Sequence, residues 1–527
     1  MKMKNLYSHL CGGLLLGLLI IACAEDMGNY DYHDLIEPEI SGVKENPSVL
    51  VYDQLQLTPD LGENAKSDDQ YDFEWKVINQ DESSEVTVIG NTRNLDYTVN
   101  LNPGKYTLYF TVTEKSTGLY WQKNYTLTVS DTTTEGWMVL CSDNGRARLD
   151  MVSMVEVVKG TIYRDILKNN GTPQWNGPRK IQWLSQMTDA NSPYYLLTDE
   201  GATRLGKNNF EWKEEYNFTY EVAVPQKLLP YSITSAGFGK VIVSGTEAYY
   251  CEIMGIDGLY GSAVNKKFKV APYVGTNVSA SMIYAAIYLL YDIDNKRFMA
   301  YCPLMAFDDL GGYNPLVDMD EMGEIATTIK GNAGVVGSAF DKYPVGYDCV
   351  YMENTKYDPG NGKMGMTYTI LADGNRRYLY GIQVGDLLLY ADCTYVLGKS
   401  YYGDLSGCTN ITKEGNLYAF SSLKNYMYYA VGGTVYRVDL SASPLRAEEQ
   451  FTLRGETITC LKFNLYQKSE NASRSFDLIV GSMKNGGEGT LRVYNGMTTE
   501  GDFRSVEPTV YTGFAKIVDA TYRERVN

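Results

Sequence analysis

Cys23 is the residue whose setting most clearly specifies covalent chemistry. It closes the apolar run Leu14-Leu15-Leu16-Gly17-Leu18-Leu19-Ile20-Ile21-Ala22, which follows Lys2 and Lys4. A basic start, a short apolar stretch and a small residue ahead of a cysteine form the pattern of a lipoprotein signal peptide. The run is shorter than the roughly 20 apolar residues that span a bilayer. Residues 1–22 are therefore expected to be removed, with Cys23 acylated at the new N terminus. Each buried CH₂ of an acyl chain then contributes about 0.8 kcal/mol of membrane attachment.

Other reactive groups are scarce. The two histidines are His9, inside the signal, and His33, just past the lipid. No Ser-His-Asp or Cys-His set and no His-based zinc site can be built from the folded part. The chain is expected to be no enzyme and to need no cofactor and no metal. Cys141, Cys251, Cys302, Cys349, Cys393, Cys408 and Cys460 are odd in number and contain no CxxC pair. They read as small buried hydrophobes, with one disulfide as the alternative. Asp318-x-Asp320 before Gly323 is a poor calcium loop, since the later ligand positions fall on Met322 and Ile329.

Ala24-Glu25-Asp26 places two acids directly behind the lipid. This resembles the surface-export signal of Bacteroidetes lipoproteins, with Glu25 and Asp26 as its acids. Gly28-Asn29-Tyr30-Asp31-Tyr32 follows, ahead of an Ig-like segment. Together these residues resemble the PKD-like lipoprotein family of the same bacteria, over roughly residues 20–130. The resemblance implies an accessory protein on the outer membrane, facing outward and partnered by SusC-like and SusD-like importers.

Composition agrees with an exported, soluble body. Loss of Lys2 and Lys4 with the signal takes the formal charge from −17 to −19. Such a surface repels nucleic acid, so none is expected as a partner. Tyrosine supplies 45 of the 527 residues, a type that favours strands and wet recognition surfaces.

The elements read as all-β. Residues 23–38 form a polar, lipidated tether. Residues 39–130 alternate as an Ig-like, PKD-like β-sandwich, with Trp75 as a core aromatic and a turn at Asn102-Pro103-Gly104. Residues 131–136 form a linker. Its Asp131-Thr132-Thr133 resembles a Bacteroidetes O-glycosylation motif, which would modify Thr132. Residues 137–527 repeat one unit seven times: an apolar strand, a tight polar turn and a second strand. The turns start at Asp143, Asp199, Gly245, Asp294, Asp373, Gly432 and Gly487. They recur at intervals of 46 to 79 residues, against the roughly 40–50 of a four-stranded blade. A seven-bladed β-propeller is expected. Its final strand, Lys516 to Tyr522, is expected to pair with the strand near Trp137.

The longest interval holds an insertion between Pro303 and Lys363. Loops on rigid scaffolds carry function disproportionately. The candidates for ligand contact are Asp308, Asp309, Tyr313, Tyr351 and Tyr357. The function expected is ligand binding for a SusC/SusD-type uptake system, with a glycan or a peptide as cargo. The alternatives are a surface glycoside hydrolase using carboxylates and an adhesin.

Overall fold

The hairpin strands past residue 135 are apolar at consecutive positions, and the structure gives the reason. In the computed structural model, residues 37–524 are described apart from 81–85, 185–193, 208–209, 224–225, 238, 253–257, 279–283, 304–315, 320–331, 337–338, 341–346, 360–364, 385, 389–393, 413–414 and 466–468. Seven sheets of three to five strands follow one another along the chain from residue 136. Each is built on one of the seven expected hairpins, from Gly136–Asp143 with Arg146–Ser153 to Leu478–Lys484 with Gly489–Tyr494.

Apolar layers lie between consecutive sheets. Met138 and Leu140 pack toward Ile181 and Leu196 of the second sheet. Their neighbours Trp137, Val139 and Cys141 pack toward Ile479 and Leu491 of the last. Between these, each sheet shares a layer with the next. A strand covered on both faces reads as a continuous apolar run. The final strand, Lys516–Arg523, pairs antiparallel with Gly136–Asp143, joining the two ends of the region in one sheet. The arrangement is all-β and propeller-like.

The N-terminal region follows a different rule. Five strands form one sheet, and Gln54–Leu57 with Leu95–Thr98 forms a second. In Gly104–Glu114 buried and half-buried residues alternate, as they must where a sheet covers a core with one face. Trp75 is fully buried and stacks on Phe110, with ring centroids 4.3 Å apart. Its indole N–H donates to the carbonyl of Thr92 at 3.0 Å, so the polar end of the ring is satisfied.

The linker is an ordered turn. The Asp131 carboxylate accepts from the Thr133 amide at 3.2 Å and from the Thr132 hydroxyl at 3.1 Å. Glu135 then accepts a hydrogen bond from the Tyr522 hydroxyl at 2.5 Å. Among the described residues Cys141, Cys251, Cys302, Cys349, Cys408 and Cys460 are free thiols, and all but Cys349 are buried; Cys393 lies outside them. None of the described helices is long and apolar enough to cross a membrane.

Candidate functional site

The inner edges of the seven sheets surround a cavity of about 710 Å³. The strands or strand ends that line it are Pro178–Trp183, Pro230–Ala236, the segment around Gly275–Thr276, Asp348–Asn354, Leu417–Phe420, Glu456–Phe463 and Lys516–Arg523. Side chains two apart on a strand share a face. Lys180 and Gln182, Tyr351 and Glu353, Lys462 and Asn464, and Asp519 and Thr521 are such pairs, and all line the cavity.

These inner strands are sheet edges, so one row of their backbone groups lacks a ladder partner. Side chains from the adjacent sheet fill that role. Asp519 accepts from the Ile181 amide at 3.1 Å. Gln182 accepts from the Ile233 amide at 2.8 Å and donates to the Ile233 carbonyl at 3.1 Å. Asn354 accepts from the Thr276 amide at 3.0 Å. Glu353 accepts from the Phe420 amide at 3.2 Å. A side chain–side chain bond adds to these, Asn464 accepting from the Thr521 hydroxyl at 2.8 Å. The polar groups of the cavity wall therefore also clamp neighbouring sheets together.

The charges are unevenly matched. Lys462 binds Asp519 at 2.8 Å; burial opposes its charge, yet the carboxylate keeps its pKa above the ordinary value. Glu353 accepts from the Tyr351 hydroxyl at 2.9 Å. Burial pushes the Glu353 carboxyl up to about 7, against the pull of the Tyr351 and Phe420 hydrogen bonds and of Lys462 and Lys180. Burial, reinforced by Lys462, holds the Lys180 ammonium below its usual range. Both side chains keep some surface, but it faces the cavity, where protein surrounds it. Chemically the wall offers hydrogen-bond donors and acceptors, an aromatic ring at Tyr351, and a carboxyl poised to hold or release a proton near neutrality.

Of the expected contact residues, Tyr351 lines this cavity. It lies on a strand and not in a loop: Asp348–Asn354 pairs antiparallel with Met366–Asp373, so the insertion ends before it. Tyr357 is half-buried against the apolar layer of the fifth and sixth sheets. Asp308, Asp309 and Tyr313 lie outside the described residues, as do Cys23, Glu25 and Asp26. Asp318 binds Arg297 at 3.1 Å, and Asp320 lies outside the described residues. Among the described residues no cluster of His, Cys, Asp or Glu fit to hold a metal ion occurs.

Sequence reasoning missed Lys180, Glu353, Lys462 and Asp519. Their strands precede or close the hairpins and are mixed in polarity. The signal available was the period-two polar alternation just upstream of each hairpin, as in Thr457-Ile458-Thr459 or Tyr351-Met352-Glu353.

A family model described as PKD-like family matches residues 23–177. No curated protein matches the chain. Among solved structures, a quinonprotein alcohol dehydrogenase-like protein from Bacteroides thetaiotaomicron is similar at 12% identity and TM-score 0.42, covering 93% of this chain and 100% of that one. Hsv2 of Kluyveromyces lactis is similar at 7% identity and TM-score 0.35, covering 72% of this chain and 100% of that one. A chain of the yeast Nup82-Nup159-Nup116 nucleoporin complex is similar at 10% identity and TM-score 0.34, with 66% and 95% covered.

Proposed function

We propose that this chain is a lipid-anchored ligand-binding protein of the outer-membrane surface. Cys23 carries the lipid, Glu25 and Asp26 direct export, and the PKD-like sandwich holds a closed seven-bladed β-propeller away from the membrane. The propeller's central cavity takes a small polar ligand, a glycan or a peptide, and passes it to a SusC/SusD-like importer. Tethering beside the importer raises the local ligand concentration without any new contact. Thr132 in the linker is the proposed glycosylation position. The observation that carries the binding reading is the polar cavity lined by all seven sheets, since concave sites of about 300–1,000 Å³ with a few convergent polar groups are where small ligands bind.

The test is a binding screen of the purified chain against oligosaccharide and peptide libraries, with co-purification from outer membranes. Saturable binding of one class, together with recovery of the transporter, is expected. Palmitate labelling should disappear in Cys23→Ser; unchanged labelling would remove the anchor. A second reading, a hydrolase, is favoured by one observation: the Glu353 carboxyl near 7 shares the cavity with Asp519. A pair of carboxyl groups is the equipment of glycoside hydrolysis. Turnover of a bound glycan that Glu353→Gln abolishes would establish it.

A further inference from the structure

An acidic chain has a cationic centre. Its formal charge is −17, yet the cavity wall carries Arg179, Lys180, Lys356, Arg377 and Lys462 against Glu353 and Asp519. Several of these cations are already engaged. Arg179 turns to Asp199 at 2.5 Å and the Leu229 carbonyl at 2.9 Å. Arg377 donates to the carbonyls of Gly374 at 2.8 Å and Arg376 at 2.9 Å. Lys462 holds Asp519.

Lys180 is different. Among the described residues its ammonium has neither a hydrogen bond nor an ion pair. The nearby carboxylates feel its field but are committed to other donors: Asp519 to Lys462 and the Ile181 amide, Glu353 to Tyr351 and the Phe420 amide. An ammonium withdrawn from bulk water without a partner destabilises the fold, and here a second ammonium, Lys462, adds repulsion. A bound anion relieves both penalties at once.

We propose that the cavity recognises its ligand through a carboxylate, which sits against Lys180 with Lys462 adding its field. This rests on the cavity being a binding site and names the chemical class it takes. A carboxylate can come from a uronate sugar or from an acidic side chain of a short peptide. The chemistry at Lys180 is the same for both.

Calorimetric titration of the full chain tests this with four probes: trigalacturonate, its neutral methyl ester, a Glu-containing tripeptide and its Gln counterpart. At least one acid is expected to bind tenfold or more tightly than its neutral partner. That binding should weaken as salt rises, fall at least tenfold in Lys180→Met, and return substantially in Lys180→Arg. The pair that shows the preference identifies the source of the carboxylate. A ligand-free readout accompanies it: Lys180→Met should unfold at the same or higher denaturant concentration than the native chain. Equal binding of acid and neutral partner would overturn the carboxylate and leave the binding site standing. Failure of all four probes to bind would count against both. Marked destabilisation of ligand-free Lys180→Met would give Lys180 a structural role and overturn the proposal.

Discussion

The sandwich and the seven-sheet region are both made of antiparallel strands, yet they spend their apolar residues differently. The sandwich buries one face of each strand in a single core, so its strands alternate. The sheets past residue 135 are each covered on both faces by their neighbours, so their central strands are buried over consecutive positions. The sandwich fills its centre with Trp75 and Phe110. The seven inner strands stand too far apart to meet across theirs, and a polar-walled cavity remains. One architecture makes a filled core, and the other leaves room for a solute.

The sharpest way to break this contrast is to truncate adjacent residues. Leu289 and Leu290 are both fully buried but face opposite layers, toward the fifth and third sheets respectively. Leu289→Ala and Leu290→Ala should each cost about 2–5 kcal/mol. In the sandwich, Leu127 is fully buried while Thr126 is half-buried. Leu127→Ala should cost about 2–5 kcal/mol, whereas Thr126→Ala should stay within about 0.5 kcal/mol. Denaturant titrations of the four variants measure this. A near-neutral Leu289→Ala or Leu290→Ala would contradict the two-faced burial.

The latches between inner strands distinguish the regions further. Asp519→Ala leaves the Ile181 amide without its acceptor and Lys462 without its counter-charge. A loss of about 2–3 kcal/mol is expected, below that of a fully buried pair because Lys462 keeps contact with the cavity. Asp519→Asn, which retains an acceptor for Ile181, should lose less. Equal stability of Asp519→Ala and the native chain in a urea melt would show that the apolar layers hold these neighbouring sheets together without the latch.

Which features were legible in the sequence follows from the same contrast. The seven hairpins were readable because double burial writes runs such as Trp137-Met138-Val139-Leu140-Cys141 and tight turns need residues such as Gly145 and Gly374, both at positive φ. Trp75 was readable because the sandwich alternates. The pairing of the last strand with Gly136–Asp143 was also foreseeable, since that hairpin lacked an inner strand upstream. The cavity wall was not. Lys180, Glu353 and Lys462 sit on strands with one side toward the cavity and an edge toward a neighbour, where polar residues look like loop, and Asp519 sits on an expected strand whose inward face was not assigned. Tyr351 was singled out for its type but assigned to a loop, because the alternation of Val350 and Met352 with Tyr351 and Glu353 spans only a few residues.

The gentlest test asks whether the cavity behaves as a low-water interior, as the sandwich core does, or as surface. Glu353 has a folded pKa of about 7 against an ordinary 4.5. The groups facing it are Tyr351 and the Phe420 amide, with the ammonium groups of Lys462 and Lys180 acting at longer range; Asp519 and Lys356 share the cavity. Below about pH 4.5 the carboxyl is neutral in both folded and unfolded chains and contributes no penalty. Between about 4.5 and 7 the folded chain holds the proton more tightly, so stability falls as pH rises. Above 7 the whole cost of enclosing the charge is present. Glu353→Gln keeps an acceptor for the Phe420 amide and removes that charge. Relative to the native chain it should gain stability as pH climbs through this window, by about 1–2 kcal/mol at pH 8 once contact with water in the cavity is discounted. It should show no gain at pH 4. Unfolding midpoints of the two chains from pH 4 to 8 give the difference directly. A difference that stays flat across the window would mean that Glu353 titrates as a surface carboxylate and that the cavity is filled with ordinary water.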